Sequence, residues 1–378
     1  MPPELIDHPK SAAGALEGMS GVRELAVDTE GASFHRFVDR VYLLQLSTRQ
    51  RSAIIDPLAV PAAVLAPLGA LLESADVETV FHDADYDLRL LRRDYGWRVR
   101  RIFDTRVAAQ LLGIKAFGLA ALLERYFGVR LDKKHQRADW SMRPLPRDML
   151  DYAELDTRYL LELKDLLRDE LEKKGRLSWV REECGRLEDT KWGDEDAGAQ
   201  FLRMKGARDL SRRELAVLRE LHGWRDSVAS DLDRATFRVI GNEQLLELAR
   251  TQPSTPQALG QTKGVSRGLL DRRSDEIIKA IRRGLEVPDG DLPHFAKAPR
   301  WDRDPNFDGR LTKVKAARDD MAVALDLDPG VLCARERMEA VARKNPQSRE
   351  QLLEIPEFRR WQADVLGPSF LAALQGSK

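Results

Sequence analysis

The sequence predicts an α/β domain built on a mixed sheet, followed by two all-helical domains. Three observations carry this reading. Short apolar runs bounded by turn residues fill the first hundred positions, helical periodicity takes over from Leu210, and the C-terminal stretch repeats the block before it.

Taken in order, Leu25-Ala26-Val27 is a buried strand that runs into Asp28-Thr29-Glu30. Side chains alternate faces along a strand, so Asp28 and Glu30 point the same way. A small, polar loop covers 31–40. Residues 41–47 read as a second strand, and Ala53-Ile54-Ile55-Asp56 as a third that Pro57 stops. Three strands this close form an antiparallel meander. Pro61 fits the first turn of a helix reaching about residue 73. Residues 77–82 are a fourth strand, leading into a helix that starts near Asp85 and ends at Tyr95-Gly96. A short strand at Ile102-Phe103 follows, then helices over Thr105–Leu112 and 118–127. The loop 130–146 carries two prolines and a basic cluster, and one long helix over 147–171 closes this half.

At 378 residues the chain exceeds one ordinary core, and 43% hydrophobic content is ample for several. Lys+Arg and Asp+Glu each number 62, so any basic surface for nucleic acid must be local. Cys184 and Cys333 form no metal-like spacing and no disulfide framework, which suits a reducing compartment. Met1-Pro2-Pro3-Glu4-Leu5 lacks the pattern of a signal peptide, and the apolar run 59–72 is too short for a bilayer and carries Pro61 and Pro67. A cytoplasmic protein is expected.

Two carboxylates side by side resist joint ionisation unless something positive lies between them, and a divalent metal is the usual occupant. An isolated Asp-x-Glu is also a common solvated strand end, so the metal reading needs further acidic positions. Asp87 stands at a helix start just after a strand, where ligands gather in open α/β sheets. Taken alone it reads equally as an acidic residue favoured by a helix N-terminus. Tyr152 and Asp156 lie four apart on one helix face, and the plain alternative is a core tyrosine beside a solvated aspartate.

Together, Asp28-Thr29-Glu30, His82-x4-Asp87-Leu88 and Tyr152-Ala153-x-x-Asp156-x-x-Tyr159-Leu160-Leu161 resemble the three exonuclease motifs of the DEDD superfamily, in its tyrosine-bearing branch. Asp139-Trp140-Ser141-x-Arg143-Pro144-Leu145 between the last two is similar to the bacterial ribonuclease D family and its eukaryotic exosome relative. The match covers roughly residues 20–170. Gly31-Ala32 departs from it, since the family often has a bulkier residue after the glutamate. The resemblance implies a ribonuclease H-like fold and a 3′-to-5′ exoribonuclease that releases nucleoside 5′-monophosphates and trims structured RNAs such as tRNA precursors. It implies Asp28, Glu30, Asp87 and Asp156 as ligands of two divalent ions, Mg²⁺ or Mn²⁺, with Asp28 the bridge and Tyr152 orienting the attacking water. Such chemistry fits the residues: paired ions about 3.5–4 Å apart flank a scissile phosphate, and hard cations prefer carboxylate oxygens. A phenol with a pKa near 10 is a poor base at neutral pH, so Tyr152 is given positioning.

Around this set, His82 is expected to support a strand end and Trp140 to pack in the core. Lys133, Lys134, His135, Gln136 and Arg137 are candidates to grip phosphates, or else form a solvated loop. The motif position of Arg143 brings it toward the scissile region.

The stretch 176–204 is an acidic, partly helical connector containing Glu182, Glu183, Glu188, Asp189, Asp194, Glu195 and Asp196. Ser211 and Glu214 form a capping box that opens a helix through Val228. Asn242 is expected to cap 243–250, Pro253 and Pro256 end that helix, and 274–283 is another. Residues 289–310 read as a linker. Leu232-Asp233 then recurs as Leu325-Asp326, Glu243 as Glu336, Ala249-Arg250 as Ala342-Arg343, Pro253 as Pro346 and Leu259 as Leu352, always 93 residues on (325 minus 232, 352 minus 259). The first copy resembles the HRDC domain, and the second is a diverged copy. The expected division is thus an exonuclease domain at 1–175, the connector, HRDC-type domains at 205–288 and 311–378, and the linker between them.

HRDC-type modules imply nucleic-acid contact. Residues 205–288 hold 16 Lys/Arg against 12 Asp/Glu, an excess of four, with Lys263 and Arg267 as candidate phosphate contacts. A helical wall that limits access to single strands is the alternative. The whole reads as a monomeric exoribonuclease acting on RNA 3′ ends. A DNA-directed exonuclease and a nucleic-acid-binding scaffold without activity are its rivals.

Overall fold

The computed structural model describes residues 3–191, 197–296 and 304–375. They form two compact units, one of 3–30, 41–191 and 304–375, the other of 31–40 and 197–296. Among the described residues, no helix is long and apolar enough to cross a membrane.

The first unit is built on β1 (Leu5–Ile6), β2 (Glu24–Glu30), β3 (Leu43–Ser47), β4 (Ser52–Ile55), β5 (Glu78–Phe81) and β6 (Ile102–Asp104), in the order β1-β4-β3-β2-β5-β6. The meander β2-β3-β4 is antiparallel, while β5, β6 and β1 join in parallel, which makes the sheet mixed. Strand β2 lies inside it because Leu25, Ala26 and Val27 are fully buried. Around it run α1 (Pro9–Glu17), α2 (Ala62–Leu72), α3 (Asp85–Tyr95), α4 (Thr105–Leu112), α5 (Leu119–Phe127), α6 (Arg147–Arg158), α7 (Leu160–Lys173) and α8 (Leu177–Leu187).

Several boundaries differ from the sequence reading. Strand β1 and α1 were not anticipated, and Pro61 is the N-cap of α2 rather than a residue of its first turn. The helix expected over 147–171 is two helices that meet at Tyr159, where φ is −103° and ψ −1°. The apolar pattern runs on through the break, but α6 packs on β2, β3 and β4 while α7 packs on β2, β5 and α4. One straight rod cannot serve both faces. The acidic, partly helical connector begins as α8, which buries Val180 and Cys184 against β6, α4 and α7. Asp194, Glu195 and Asp196 lie outside the described residues, as do 297–303 of the linker.

The second unit contains α9 (Arg212–Asp231), α10 (Thr236–Val239), α11 (Asn242–Thr251), α12 (Pro256–Leu259) and α13 (Arg267–Leu285) around a separate core. The Ser211–Glu214 capping box is present. Asn242 is the first helical residue of α11 rather than its cap, and its Oδ1 accepts from Arg225 Nη1 at 2.6 Å. Helix α13 begins seven residues earlier than the 274–283 expected.

The repeat closes the first unit as α14 (Phe307–Leu325), α15 (Pro329–Leu332), α16 (Arg335–Lys344), α17 (Arg349–Leu353) and α18 (Arg360–Gln375). The starts of α10 to α13 and of α15 to α18 differ by 93 throughout. So do the left-handed residues, Asp233 and Asp326, Gln252 and Asn345, Gly264 and Glu357.

This second copy packs on the sheet domain through α8. Trp179 and Trp361 stack at 4.7 Å, Arg359 Nε donates to both Glu183 oxygens at 3.0 Å, and Glu182 accepts from the backbone N–H groups that open α18. A Cβ on Gly113, which holds the left-handed turn after α4, would overlap the Asp326 carbonyl. Ser266 and Gly268 stand in the first copy where Arg359 and Trp361 stand in the second.

Candidate active site

The end of β2, the first turn of α3 and the last turns of α6 bring the acidic residues together. Asp28, Glu30 and Asp156 each offer a carboxylate oxygen, and these oxygens lie within 4.8 Å of one another. Asp87 is buried at the start of α3, and its Oδ1 accepts from the Thr29 N–H at 2.9 Å and the Thr29 hydroxyl at 2.5 Å. Thr29 alternates with the two β2 carboxylates, so it points to the opposite face and ties α3 to the strand.

The electrostatics are those of crowded anions. Burial pushes all four carboxyls well above the usual carboxylate range. Neighbouring carboxylates add to this, with Asp156 acting on Asp28, Asp28 and Asp156 on Glu30, Asp28 on Asp87, and Asp87 on Asp156. An all-oxygen donor set that repels itself, with Asp87 and Asp156 buried and Asp28 and Glu30 half-buried, fits one or more hard divalent cations.

Tyr152 lies one helical turn before Asp156. Burial, then Asp156, Glu30 and Asp28, raise its phenol above its ordinary value, so it stays protonated at neutral pH. The rings of His135 and Trp140 flank it at 5.7 and 6.1 Å. His82 is driven down to about 4, by burial first, and its Nδ1 lies 2.9 Å from the Thr105 hydroxyl. It is a neutral part of the scaffold.

Supporting residues that motif spacing does not reveal hold these groups. Buried Asp104 accepts from the backbone N–H groups of Asp83 and Ala84, at 3.1 and 2.8 Å, fixing the turn that leads to Asp87. Ser47 Oγ lies 2.8 Å from both Thr157 Oγ1 and Ser52 Oγ, pinning α6 to the sheet next to Asp156. A polar residue closing an apolar strand was the available signal in both cases.

The expected nucleic-acid contacts fare differently. All five guanidinium N–H groups of Arg143 are taken by the Asp56 carboxylate and the carbonyls of Tyr42, Trp140 and Met142. Arg143, expected near the scissile region as a nucleic-acid contact, clamps the loop to the sheet in this arrangement, because buried Asp56 and three carbonyls take its donors. His135 is likewise buried against Tyr152. Lys134 is exposed and pairs with Asp148 at 3.1 Å and Asp132 at 3.5 Å, and Gln136 is exposed. The Lys133 side chain lies outside the described residues. In the other unit, Lys263 and Arg267 are exposed at the turn into α13.

Comparison with known proteins places the chain in a family. The 3′–5′ exonuclease domain model matches residues 3–172, and the HRDC domain model matches 214–281 and 307–374. The chain is 31% identical over 376 residues to a ribonuclease D of Gluconacetobacter diazotrophicus, covering 99% of this chain and 93% of that one. It is 32% identical to a ribonuclease D of Granulibacter bethesdensis, again over 99% and 93%. The crystal structure of Escherichia coli RNase D superposes with a TM-score of 0.75 at 24% identity, over 100% of this chain and 99% of that one, a likeness of fold.

Proposed function

The chain belongs to the ribonuclease D family and is a 3′–5′ exoribonuclease, and from that premise we propose a metal-dependent mechanism. Asp28, Glu30, Asp87 and Asp156 would hold two divalent cations, Mg²⁺ or Mn²⁺. When bound, such ions supply water activation and neutralise the charge that develops at the scissile phosphate. The observation that carries this reading is the self-repelling cluster, whose three nearest carboxylates come within 4.8 Å of one another and are each raised by burial and by a neighbouring carboxylate.

The protein's own groups do the rest. Thr29 and Asp104 keep the α3 turn in place, so that Asp87 reaches the end of β2. Ser47 and Thr157 hold the Asp156 turn against β3. The protonated phenol of Tyr152 donates a hydrogen bond and cannot act as the base, so it orients a water or a phosphate oxygen. Cleavage proceeds from the 3′ end and releases nucleoside 5′-monophosphates. The substrates are cytoplasmic structured RNAs such as tRNA precursors, on which the enzyme works as a monomer. Lys133, Lys134 and Gln136, and separately Lys263 and Arg267, are the phosphate contacts proposed for the RNA beyond the terminal nucleotide.

RNA labelled at either end, incubated with and without EDTA, tests this. The expected result is a ladder shortening from the 3′ end, mononucleotide release, and full loss of both with chelator. Activity that survives EDTA dialysis, or release of internal fragments, overturns the mechanism.

A further inference from the structure

Building on the carboxylate reading above, we propose that Gln45 is a positioning residue for the site, its amide steadying Asp28 when the cluster is ionised and loaded. Gln45 sits in the middle of β3, fully buried, and is paired across the ladder with Asp28 on one side and Ile54 on the other. Side chains directly opposite in an antiparallel pair emerge on one face, with Cβ atoms about 4.5–5.5 Å apart. Ser47, two residues on, emerges on that same face and meets Thr157 of α6. The Gln45 amide therefore lies under α6, beside the strand that presents Asp28.

Neither its Nε2 nor its Oε1 has a hydrogen-bond partner among the described residues. Buried amides in that condition destabilise a fold. Leu43, Leu44 and Leu46 show that this strand accepts apolar side chains on either face. A glutamine at 45 thus disfavours folding unless another state uses it, and the polar group that the register sets opposite is the Asp28 carboxylate. An amide suits that task chemically. It donates a hydrogen bond to an inward oxygen and leaves the outward one for a cation, whereas a lysine or arginine would itself take the cation's place.

The test uses the full chain with Gln45→Met and Gln45→Leu, and reads Mn²⁺ binding by calorimetry, kcat and KM on labelled RNA, and the unfolding midpoint in EDTA. The expected result is opposite signs. The midpoint stays or rises, while the Mn²⁺ Kd weakens by about tenfold, as loss of an outer hydrogen bond to a metal ligand typically does; kcat falls with it and KM stays within twofold. Should Gln45→Leu fail to fold, the nearly isosteric Gln45→Met decides. A Mn²⁺ Kd and kcat within twofold of the parent overturn the proposal, and so does a lowered midpoint with unchanged metal affinity, which makes Gln45 a packing residue. Asp28→Asn run alongside separates the two levels: if it too binds Mn²⁺ like the parent, the carboxylate reading has failed, not merely the role of Gln45.

Discussion

Replacing Asp28 with asparagine should stop hydrolysis and, in the absence of metal, make the protein more stable. The reasoning starts from distance. Carboxylate oxygens of Asp28, Glu30 and Asp156 lie within 4.8 Å of one another, and at an effective dielectric constant of about 20 each ionised pair repels by roughly 3.5 kcal/mol. Burial first, and this repulsion after it, push these carboxyls well above their ordinary range, so the metal-free site holds protons. For an acid whose folded pKa is raised, the stabilising contribution is complete below the unfolded value and is lost as pH rises through the folded value. Metal-free protein should therefore lose stability as pH rises above the ordinary carboxylate range. Removing one charge should return about 1–3 kcal/mol at pH 7.5, the proton uptake having already capped the gain. Thermal unfolding in EDTA and in Mn²⁺ reads both effects. At a Mn²⁺ concentration 100 times its Kd, the parent should gain about 2.7 kcal/mol, and Asp28→Asn much less. A lower midpoint for Asp28→Asn in EDTA, or an equal Mn²⁺ response in both proteins, would refute the reasoning.

Three further outcomes are expected. Tyr152→Phe should lower kcat about 100-fold, as loss of one positioned donor does, with Mn²⁺ affinity unchanged by calorimetry; unchanged turnover would assign the ring to packing beside His135 and Trp140. His82, held near pKa 4 against an ordinary 6.5, contributes stability that is present above 6.5 and lost as pH falls toward 4. The difference at full linkage is about 3 kcal/mol, so the acid limb of the stability curve should be shallower in His82→Gln, and identical curves would show the ring to be indifferent. Arg143→Ala should cost about 3 kcal/mol by stranding the Asp56 carboxylate and three carbonyls, without weakening RNA binding at fixed salt. A stable variant with weakened binding would make Arg143 an RNA contact instead.

What the sequence determined by itself was whatever repeats or alternates over a short window. The β2-β3-β4 meander, the Asp28 and Glu30 pair on one strand face, the Tyr152 and Asp156 pair on one helix face and the 93-residue duplication are all periodicities, and the folded chain keeps each of them. Asp87 was legible as a candidate ligand at a helix start, but not its bond to Thr29, which spans 58 positions and depends on how α3 meets the sheet. Arg143 looked like an RNA contact because its motif sits near Tyr152, and only the tertiary structure shows Asp56, 87 positions away, occupying its guanidinium. The break at Tyr159 and the seating of α18 on α8 are of the same kind. Periodicity records which side of a segment is apolar, but not which distant polar group will satisfy a buried charge, because hydrogen bonds and ion pairs are chosen by proximity in space after the apolar faces have packed.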